Sequence, residues 1–479
     1  MNKVGIMAAG AYIPYFYIGR DTIAGAWNKK GMKGMRSMKN DDEDSVTMAV
    51  AAARSCIRFI DQKRITGVFF SSVSAPYEEK SHAGIVAAAC DLPRTLNTAD
   101  VMGSLRGGTG AVKLAADAAC VNPKEQSLVI ASDCRNAYPN SRKEQLLGDA
   151  AAAVIIGSEK LIATIDEYVA VSDEIVDVWR NSGERFVNWG ESRFILDEGY
   201  TRSLSFAVNE LLSKMEMQPS DFNKVILPAP DLREYLRLAK RLGFSPEQVQ
   251  DPLLLEVGDC GTAQVLLLLA AALERAKPGD RLLIANYANG ADAMALTVTD
   301  EILKNRAVTS VEALLLARRE FKEYSRFLSY RGICPTVESM YNLKPSNAQT
   351  WREQDTFLRF KGSKCKRCKT EIFPANRVCH NCGAIDDYEL VDLSGRTAAV
   401  YTFTLDELAG SDDDPVVGQV CANDEFGVRY YNIMTDFDPG EVAVGMKLEF
   451  TFRKMNELGN FKNYYWKFMP VRIKEGGKT

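Results

Sequence analysis

Four cysteines, Cys365, Cys368, Cys379 and Cys382, form two C-x-x-C pairs, "CKRC" and "VCHNC", with ten residues between the pairs. Two knuckles at this spacing present four thiolates at the reach of tetrahedral zinc, with Zn–S about 2.3 Å and no position left for water. The spacing therefore predicts a structural zinc site. The surrounding segment is polar and rich in Lys and Arg, which separates it from four unrelated core cysteines, and His380 between the second pair reads as a bystander. A second candidate is Ser104, at the tip of "VMGSLRGGTGAV", where glycines let backbone amides approach a ligand. A serine needs a base to become a nucleophile. The chain has only two histidines, His82 and His380, so Ser/His or Cys/His chemistry in the large domain must recruit His82. His82 heads "SHAGIVAAAC", a position that suits a surface or helix-entry role better than a catalytic one. A second glycine turn, "VGDCGTAQV", offers Asp259 as a base and Cys260 as a thiol, with a buried, inert cysteine as the commoner alternative.

The basic run "KKGMKGMRSMK" and the helix "REYLRLAKR" could hold a phosphorylated ligand through Lys29, Lys30, Arg233 and Arg237, with Trp27 stacking on a base. A solvated face explains both runs as well. Neither glycine turn has the Lys-Ser/Thr ending of a phosphate loop or the dinucleotide glycine spacing, which disfavours nucleotide hydrolysis and hydride transfer. A net charge of −4 gives no general attraction to nucleic acid or anionic membrane. The longest apolar run, "VLLLLAAAL", is too short to span a bilayer, and the N-terminus lacks a signal-peptide pattern. A soluble, cytoplasmic protein is expected.

These residues must be positioned by 479 residues, 46% of them hydrophobic, enough for about two to four domains. Up to about residue 300, β-rich apolar segments alternate with helical ones, which predicts a layered α/β domain. That region contains a duplication. Residues 103–137 parallel residues 258–291: a glycine turn, a buried helix, a Pro-containing loop, a hydrophobic strand and a polar turn. Ser104 and Asp259 then occupy equivalent turns facing one cleft. The expected organisation is two halves, 1–160 and 161–300, a helical connector at 301–355, a zinc ribbon at 356–390 and a small all-β barrel at 391–479. A ribbon followed by a barrel suits nucleic acid, but the acidic loops "DELAGSDDDP" and "DFDPGE" oppose a phosphate backbone.

"DEDSVTMAVAAAR", "GDAAAAVIIG" and "AKRLGFSPEQV", with the duplication, resemble the thiolase superfamily and, within it, archaeal-type 3-hydroxy-3-methylglutaryl-CoA synthases, over about residues 1–335. "CKRCKTEIFPANRVCHNCG" with "LSGRTAAVYTFT" and "FDPGEVAVGMKLEFTF" resembles the zinc-ribbon/OB-fold accessory proteins of such enzymes. The resemblance implies a duplicated five-layer thiolase domain and an OB-fold barrel, with CoA or acyl-CoA as ligand. It also implies a cysteine that takes the acyl group, a histidine that orients the acceptor and a glutamate acid/base. Matched motif by motif, these positions hold Ser104, Pro228 and Val73. The scaffold persists: Gly103, Gly107, Gly108 and Gly110 around the turn, and Gly290 in the facing "YANGAD" loop.

Two functions are then expected. One is a degenerate subunit, a homodimer that binds a CoA thioester and docks a catalytic thiolase-like partner. The other is rewired acyl-CoA chemistry, such as C–C bond formation or cleavage, hydration or hydrolysis, with Asp259 as base, Ser104 or Cys260 as nucleophile, and His82 or Glu79 assisting.

Overall fold

The computed structural model describes residues 3–58, 60–304, 310–334, 346–408, 416–458 and 461–473. Parts of the expected connector, and residues 409–415 of the first acidic loop, lie outside them. The chain divides into two compact units. The first comprises Met1–Lys39, Asp44–Ala87 and Leu92–Tyr324; the second comprises Asn40–Glu43, Ala88–Asp91 and Ser325–Thr479.

The first unit is built on nine strands: β1 (Gly5–Tyr12), β2 (Gly67–Ser72), β3 (Asn97–Met102), β4 (Ser127–Asp133), β5 (Ala150–Gly157), β6 (Ala163–Ser172), β7 (Lys224–Ile226), β8 (Arg281–Tyr287) and β9 (Gly290–Val298). Their order is β7-β8-β9-β6-β1-β5-β4-β2-β3. The duplication is explicit in the pairing. In the first copy β2 runs parallel to β4, β4 antiparallel to β5, and β5 antiparallel to β1. The second copy repeats the sequence with β7, β8, β9 and β6. The counterpart of β3 is reduced to a single bridge, Val225 to Val249. Strands such as β5, "AAAAVIIG", are buried along their whole length, as a near-continuous apolar run requires when both faces are covered.

Six helices matter here: α1 (Ser45–Ile57), α2 (His82–Ala89), α3 (Gly107–Val121), α4 (Arg142–Leu146), α5 (Leu232–Arg241) and α6 (Gln264–Arg275). Helix α6 carries the "VLLLLAAAL" run and is buried on nearly every side, which explains an apolar stretch with no helical stripe. Helix α5 is the opposite case, with only Tyr235, Leu238 and Ala239 buried and its basic residues turned to solvent.

In the second unit, β10 (Lys361–Cys365) pairs with β11 (Glu371–Ile372) and β12 (Tyr388–Asp392) to form the cysteine-bearing ribbon. Strands β13 (Thr397–Asp406), β14 (Val417–Asp424), β15 (Arg429–Ile433), β16 (Lys447–Leu458) and β17 (Phe461–Pro470) form one antiparallel sheet, ordered β15-β14-β13-β16-β17. A bridge between Met434 and Phe468 brings its two edges together into a nearly closed barrel around Trp466, Phe468, Tyr430 and Phe450. The second acidic loop is solvated only in part, with Glu441 exposed. Asp436 is buried and binds the guanidiniums of Arg453, at 2.6 Å, and Arg472.

Candidate functional site: two cross-braced turns

Both glycine turns sit at the start of a buried helix, the first before α3 and the second before α6. Each is bound by an aspartate from the other copy. Asp133, at the end of β4, accepts on Oδ2 from the Thr262 backbone N–H (2.8 Å) and Oγ1 (2.9 Å) at the second turn. Its Oδ1 accepts from Ser72 Oγ (2.9 Å), the Val73 N–H (2.8 Å) and Ser74 Oγ (2.7 Å) at the end of β2. In the reverse direction, Asp292 of β9 accepts from Thr109 Oγ1 (2.6 Å) at the head of α3. Asn286 of β8 donates to the Leu105 carbonyl and to Thr109 Oγ1, each at 3.3 Å. The turns therefore converge in one place, as the duplication predicts.

Glycine is required at this convergence. A Cβ on Gly108 would lie 2.9 Å from the Thr262 carbonyl, and one on Gly107 would lie 2.3 Å from Ser71 Oγ. A Cβ on Gly290 would lie 2.0 Å from the Val171 carbonyl, so this glycine is packed against β6.

Ser104 is half-buried at the first turn, where its Oγ accepts from the Arg106 N–H at 3.2 Å. Arg106 spans the turn to the facing loop. It donates to Asp292 Oδ1 (3.0 Å) and to the carbonyls of Val171 (2.9 Å) and Asn289 (3.4 Å). Val73 hydrogen-bonds through its backbone alone: its carbonyl accepts from Arg180 Nη2 (2.8 Å) and its N–H donates to Asp133. Pro228 contributes its carbonyl to Tyr200 Oη at 2.8 Å.

At the second turn Asp259 is an ion-paired carboxylate, 2.7 Å from Arg135 Nη2, with a side chain one-third exposed (33%). Burial pushes its carboxyl up, but Arg135, the Gly261 N–H and Lys143 outweigh that and hold it below the ordinary range. Arg135 is almost wholly buried; burial opposes its charge, and Asp259 and Asp133 more than compensate, raising its pKa. The Cys260 thiol is fully buried, 3.5 Å from the Gly258 carbonyl, and burial drives its pKa well above the ordinary value, with Asp259 adding to the effect. It is the inert case rather than the reactive one.

His82 is the first residue of α2 and is 2% exposed. Its Nδ1 lies 2.9 Å from Asp100 Oδ2 and its Nε2 accepts the Tyr77 N–H at 3.3 Å, so both ring nitrogens are engaged. Asp100 also caps the helix through the N–H groups of His82 and Ala83, each at 2.8 Å. That is the helix-entry role. Glu79 is exposed on the preceding loop.

The basic candidates are all exposed. Lys29 Nζ donates to Asn140 Oδ1 (2.6 Å) and Met32 N–H donates to Gln145 Oε1 (2.9 Å), which lays this segment along α4. Trp27 donates to Tyr324 Oη at 2.9 Å, and Lys30 is exposed. Arg233 and Arg237 are exposed on α5, with Arg237 paired to Glu234 at 3.4 Å.

Asp133, Arg135, Arg106, Asp292 and Lys143 were not singled out from sequence. For Asp133, Arg135 and Asp292 the available signal was the polar turn closing each repeat, "SDCRNA" in the first copy and "NYANGAD" in the second.

In the ribbon, the two knuckles close alike, with Lys369 N–H donating to the Cys365 carbonyl and Gly383 N–H to that of Cys379, both at 2.9 Å. All four Sγ atoms lie within 4.8 Å of one another. Cys365 and Cys382 are 3.7 Å apart and Cys368 and Cys379 are 3.5 Å apart. Four thiolates around one ion at about 2.3 Å would be about 3.8 Å apart, so the set fits a tetrahedral metal. His380 is exposed and outside the cluster.

Hydroxymethylglutaryl-CoA synthase of Methanopyrus kandleri is 31% identical over 338 residues, covering 68% of this chain and 96% of the relative. The chain belongs to the hydroxymethylglutaryl-CoA synthase family. A second relative in this family, from Methanocaldococcus jannaschii, is 32% identical over 68% of this chain and 98% of its own length. Residues 212–299 match the family model described as 3-oxoacyl-[acyl-carrier-protein] synthase III C terminal. Among solved structures, MvaS in complex with 3-hydroxy-3-methylglutaryl coenzyme A is similar with a TM-score of 0.63 at 19% identity, over 72% of this chain and 95% of MvaS. The curacin-pathway HMG synthase in complex with holo donor-ACP gives 0.64 at 18%, over 82% of this chain and the whole of the other. The fold of this family member is therefore thiolase-type α/β, and its function is related to acyl-CoA.

Proposed function

We propose that this family member binds a CoA thioester between the two turns and does not itself perform cysteine-based condensation. The observation that supports this reading is the state of His82, Cys260 and Ser104. Matched by motif, the family positions hold Val73, Ser104 and Pro228. Both His82 nitrogens are engaged, burial drives the Cys260 thiol pKa well above the ordinary value, and among the described residues no base hydrogen-bonds to Ser104 Oγ. A serine hydroxyl without a base is a poor nucleophile at neutral pH. The exposed Lys29, Lys30, Arg233, Arg237 and Trp27 are suited to CoA phosphates and adenine.

The cysteine would come from a thiolase-like partner docked through the zinc-ribbon and barrel unit, with zinc held by Cys365, Cys368, Cys379 and Cys382 as a structural ion. Among the described residues the outer strand β3 is paired on one side only, and a second copy could pair on the other, in keeping with a homodimer. Incubation with acetyl-CoA followed by intact-mass measurement should leave Ser104 and Cys260 unmodified. A stoichiometric acyl adduct on either would overturn the reading. The rewired-enzyme alternative rests on Asp259, whose ionised carboxylate is one-third exposed. It predicts acyl-CoA consumption by the isolated chain, lost in Asp259→Asn.

A further inference from the structure

Trp27 and Lys29 belong to a stretch, residues 25–30, that is exposed throughout, yet both are tied to one buried side chain. The Trp27 indole N–H donates to Tyr324 Oη at 2.9 Å, and Tyr324 Oη lies 2.9 Å from Glu144 Oε1. An indole nitrogen can only donate, so the phenol oxygen accepts there and its single hydrogen goes to Glu144. The two rings meet edge to face, with centres 6.0 Å apart and planes at 79°. On the other oxygen, Glu144 Oε2 accepts the Asn140 N–H at 2.8 Å, and Asn140 Oδ1 accepts from Lys29 Nζ at 2.6 Å. Glu144 is 1% exposed, and its backbone N–H donates to Ser141 Oγ at 3.1 Å.

The Trp27 ring is 39% exposed, so its tether adds little to the core and leaves ring surface open for stacking. Donating to Asn140 uses one of the three ammonium donors of Lys29. A loose surface tryptophan or lysine loses rotamer freedom when a ligand orders it, whereas here folding has already removed that freedom. The same helix fixes where the stretch lies. In α4, Gln145 Oε1 accepts the Met32 N–H at 2.9 Å, and the Leu146 carbonyl accepts the Asp259 N–H of the second turn at 2.7 Å.

We propose that Tyr324, braced by Glu144, is a positioning residue for the nucleotide end of the CoA thioester. It holds the Trp27 ring in the orientation that stacks on adenine, while the second oxygen of Glu144 orders Lys29, through Asn140, for a phosphate. Tyr324 does not touch the ligand and acts through Trp27. The inference rests on thioester binding as proposed above.

The test measures CoA affinity by calorimetry on the full-length, metal-loaded protein and on its Tyr324→Phe, Trp27→Leu and doubly substituted forms. Tyr324→Phe keeps the ring, removes both hydrogen bonds and should weaken CoA binding about threefold to tenfold. Trp27→Leu should weaken it about tenfold or more through lost stacking. Adding Tyr324→Phe to Trp27→Leu should then change affinity by less than about twofold, because the hydroxyl has no indole left to hold. In the ligand-free protein carrying isotope-labelled tryptophan, the Trp27 indole N–H resonance is identified by its absence in Trp27→Leu. Tyr324→Phe should shift that resonance and speed its exchange with water. CoA affinity of Tyr324→Phe within about twofold of the parent overturns the proposal, as do equal effects of Tyr324→Phe with and without Trp27. An indole resonance that Tyr324→Phe leaves unmoved overturns it as well. If the parent binds CoA and Trp27→Leu binds it equally well, the ring does not stack on the nucleotide and the assignment falls. Failure of the parent to bind CoA refutes the thioester reading itself.

Discussion

Asp133 is the most consequential single side chain in the first unit, and the cost of removing it can be worked out. Its carboxylate is fully buried and accepts five hydrogen bonds, two from backbone N–H groups and three from hydroxyls. In Asp133→Ala the hydroxyls of Ser72, Ser74 and Thr262 can rotate to other acceptors. The N–H groups of Val73 and Thr262 cannot. Each orphaned donor costs about 1–3 kcal/mol, and a water entering the vacated space recovers part of it, so a net loss of about 3 kcal/mol is expected. Asp133→Asn should recover little, because an amide facing five donors must turn its NH₂ toward some of them. The measurement is urea denaturation followed by tryptophan fluorescence, supported by thermal melting, where the shift should be about 5–10 °C. Both variants should also lose thioester binding, since the end of β2 and the second turn would no longer be held together. If both variants stay within about 1 kcal/mol of the parent, the buried carboxylate does not brace the site and the reasoning fails.

Glu274 tests the electrostatics. Burial pushes its pKa from 4.5 up to about 7, so the folded chain holds a proton there that the unfolded chain releases above about 4.5. Stability is then lost as pH rises through that window, and the full penalty applies above pH 7. Solvent contact reduces the penalty to about 1–2 kcal/mol. Glu274→Gln keeps an acceptor for the Val311 N–H and should recover that amount at pH 8 and almost none at pH 4.5, by urea titration at the two values; an equal gain at both would disprove the assignment. Two glycines of α3 should respond oppositely. Gly108→Ala places a methyl against the Thr262 carbonyl and should cost about 1–3 kcal/mol, whereas Gly110→Ala, with open space around it, should stabilise by about 0.5–1 kcal/mol. Removing the metal with a chelator, or replacing Cys379 with Ser, should abolish stoichiometric zinc in elemental analysis and lower the melting of the second unit while leaving the first unchanged.

The duplication was legible because each copy carries its own local pattern of turn, apolar helix and strand, and that pattern became the repeated β2-β4-β5-β1 and β7-β8-β9-β6 pairing. The cysteine knuckles were legible for the same reason, since their geometry is set by spacing alone. The braces were not. Asp133 meets Thr262 across 129 residues and Asp292 meets Thr109 across 183, and no local period encodes such a pairing. Asp259 and Cys260 were visible as residue types, but their environments were not: Arg135 approaches the first from another strand end, and complete burial silences the second. Sequence also treated Asp436 as part of a repelling surface, whereas it closes a buried ion cluster with Arg453 and Arg472.

The glycines around Ser104 have a bearing on how distant relatives are interpreted. Gly107 and Gly108 are held by what packs on them, the Ser71 hydroxyl and the Thr262 carbonyl, each less than 3 Å from where a Cβ would stand. Packing can therefore fix the outline of such a turn whatever side chain stands at its tip, because at Gly108 the two halves meet through it. The turn motif then reports descent and mutual fit, and only the side chains at its tip report on chemistry.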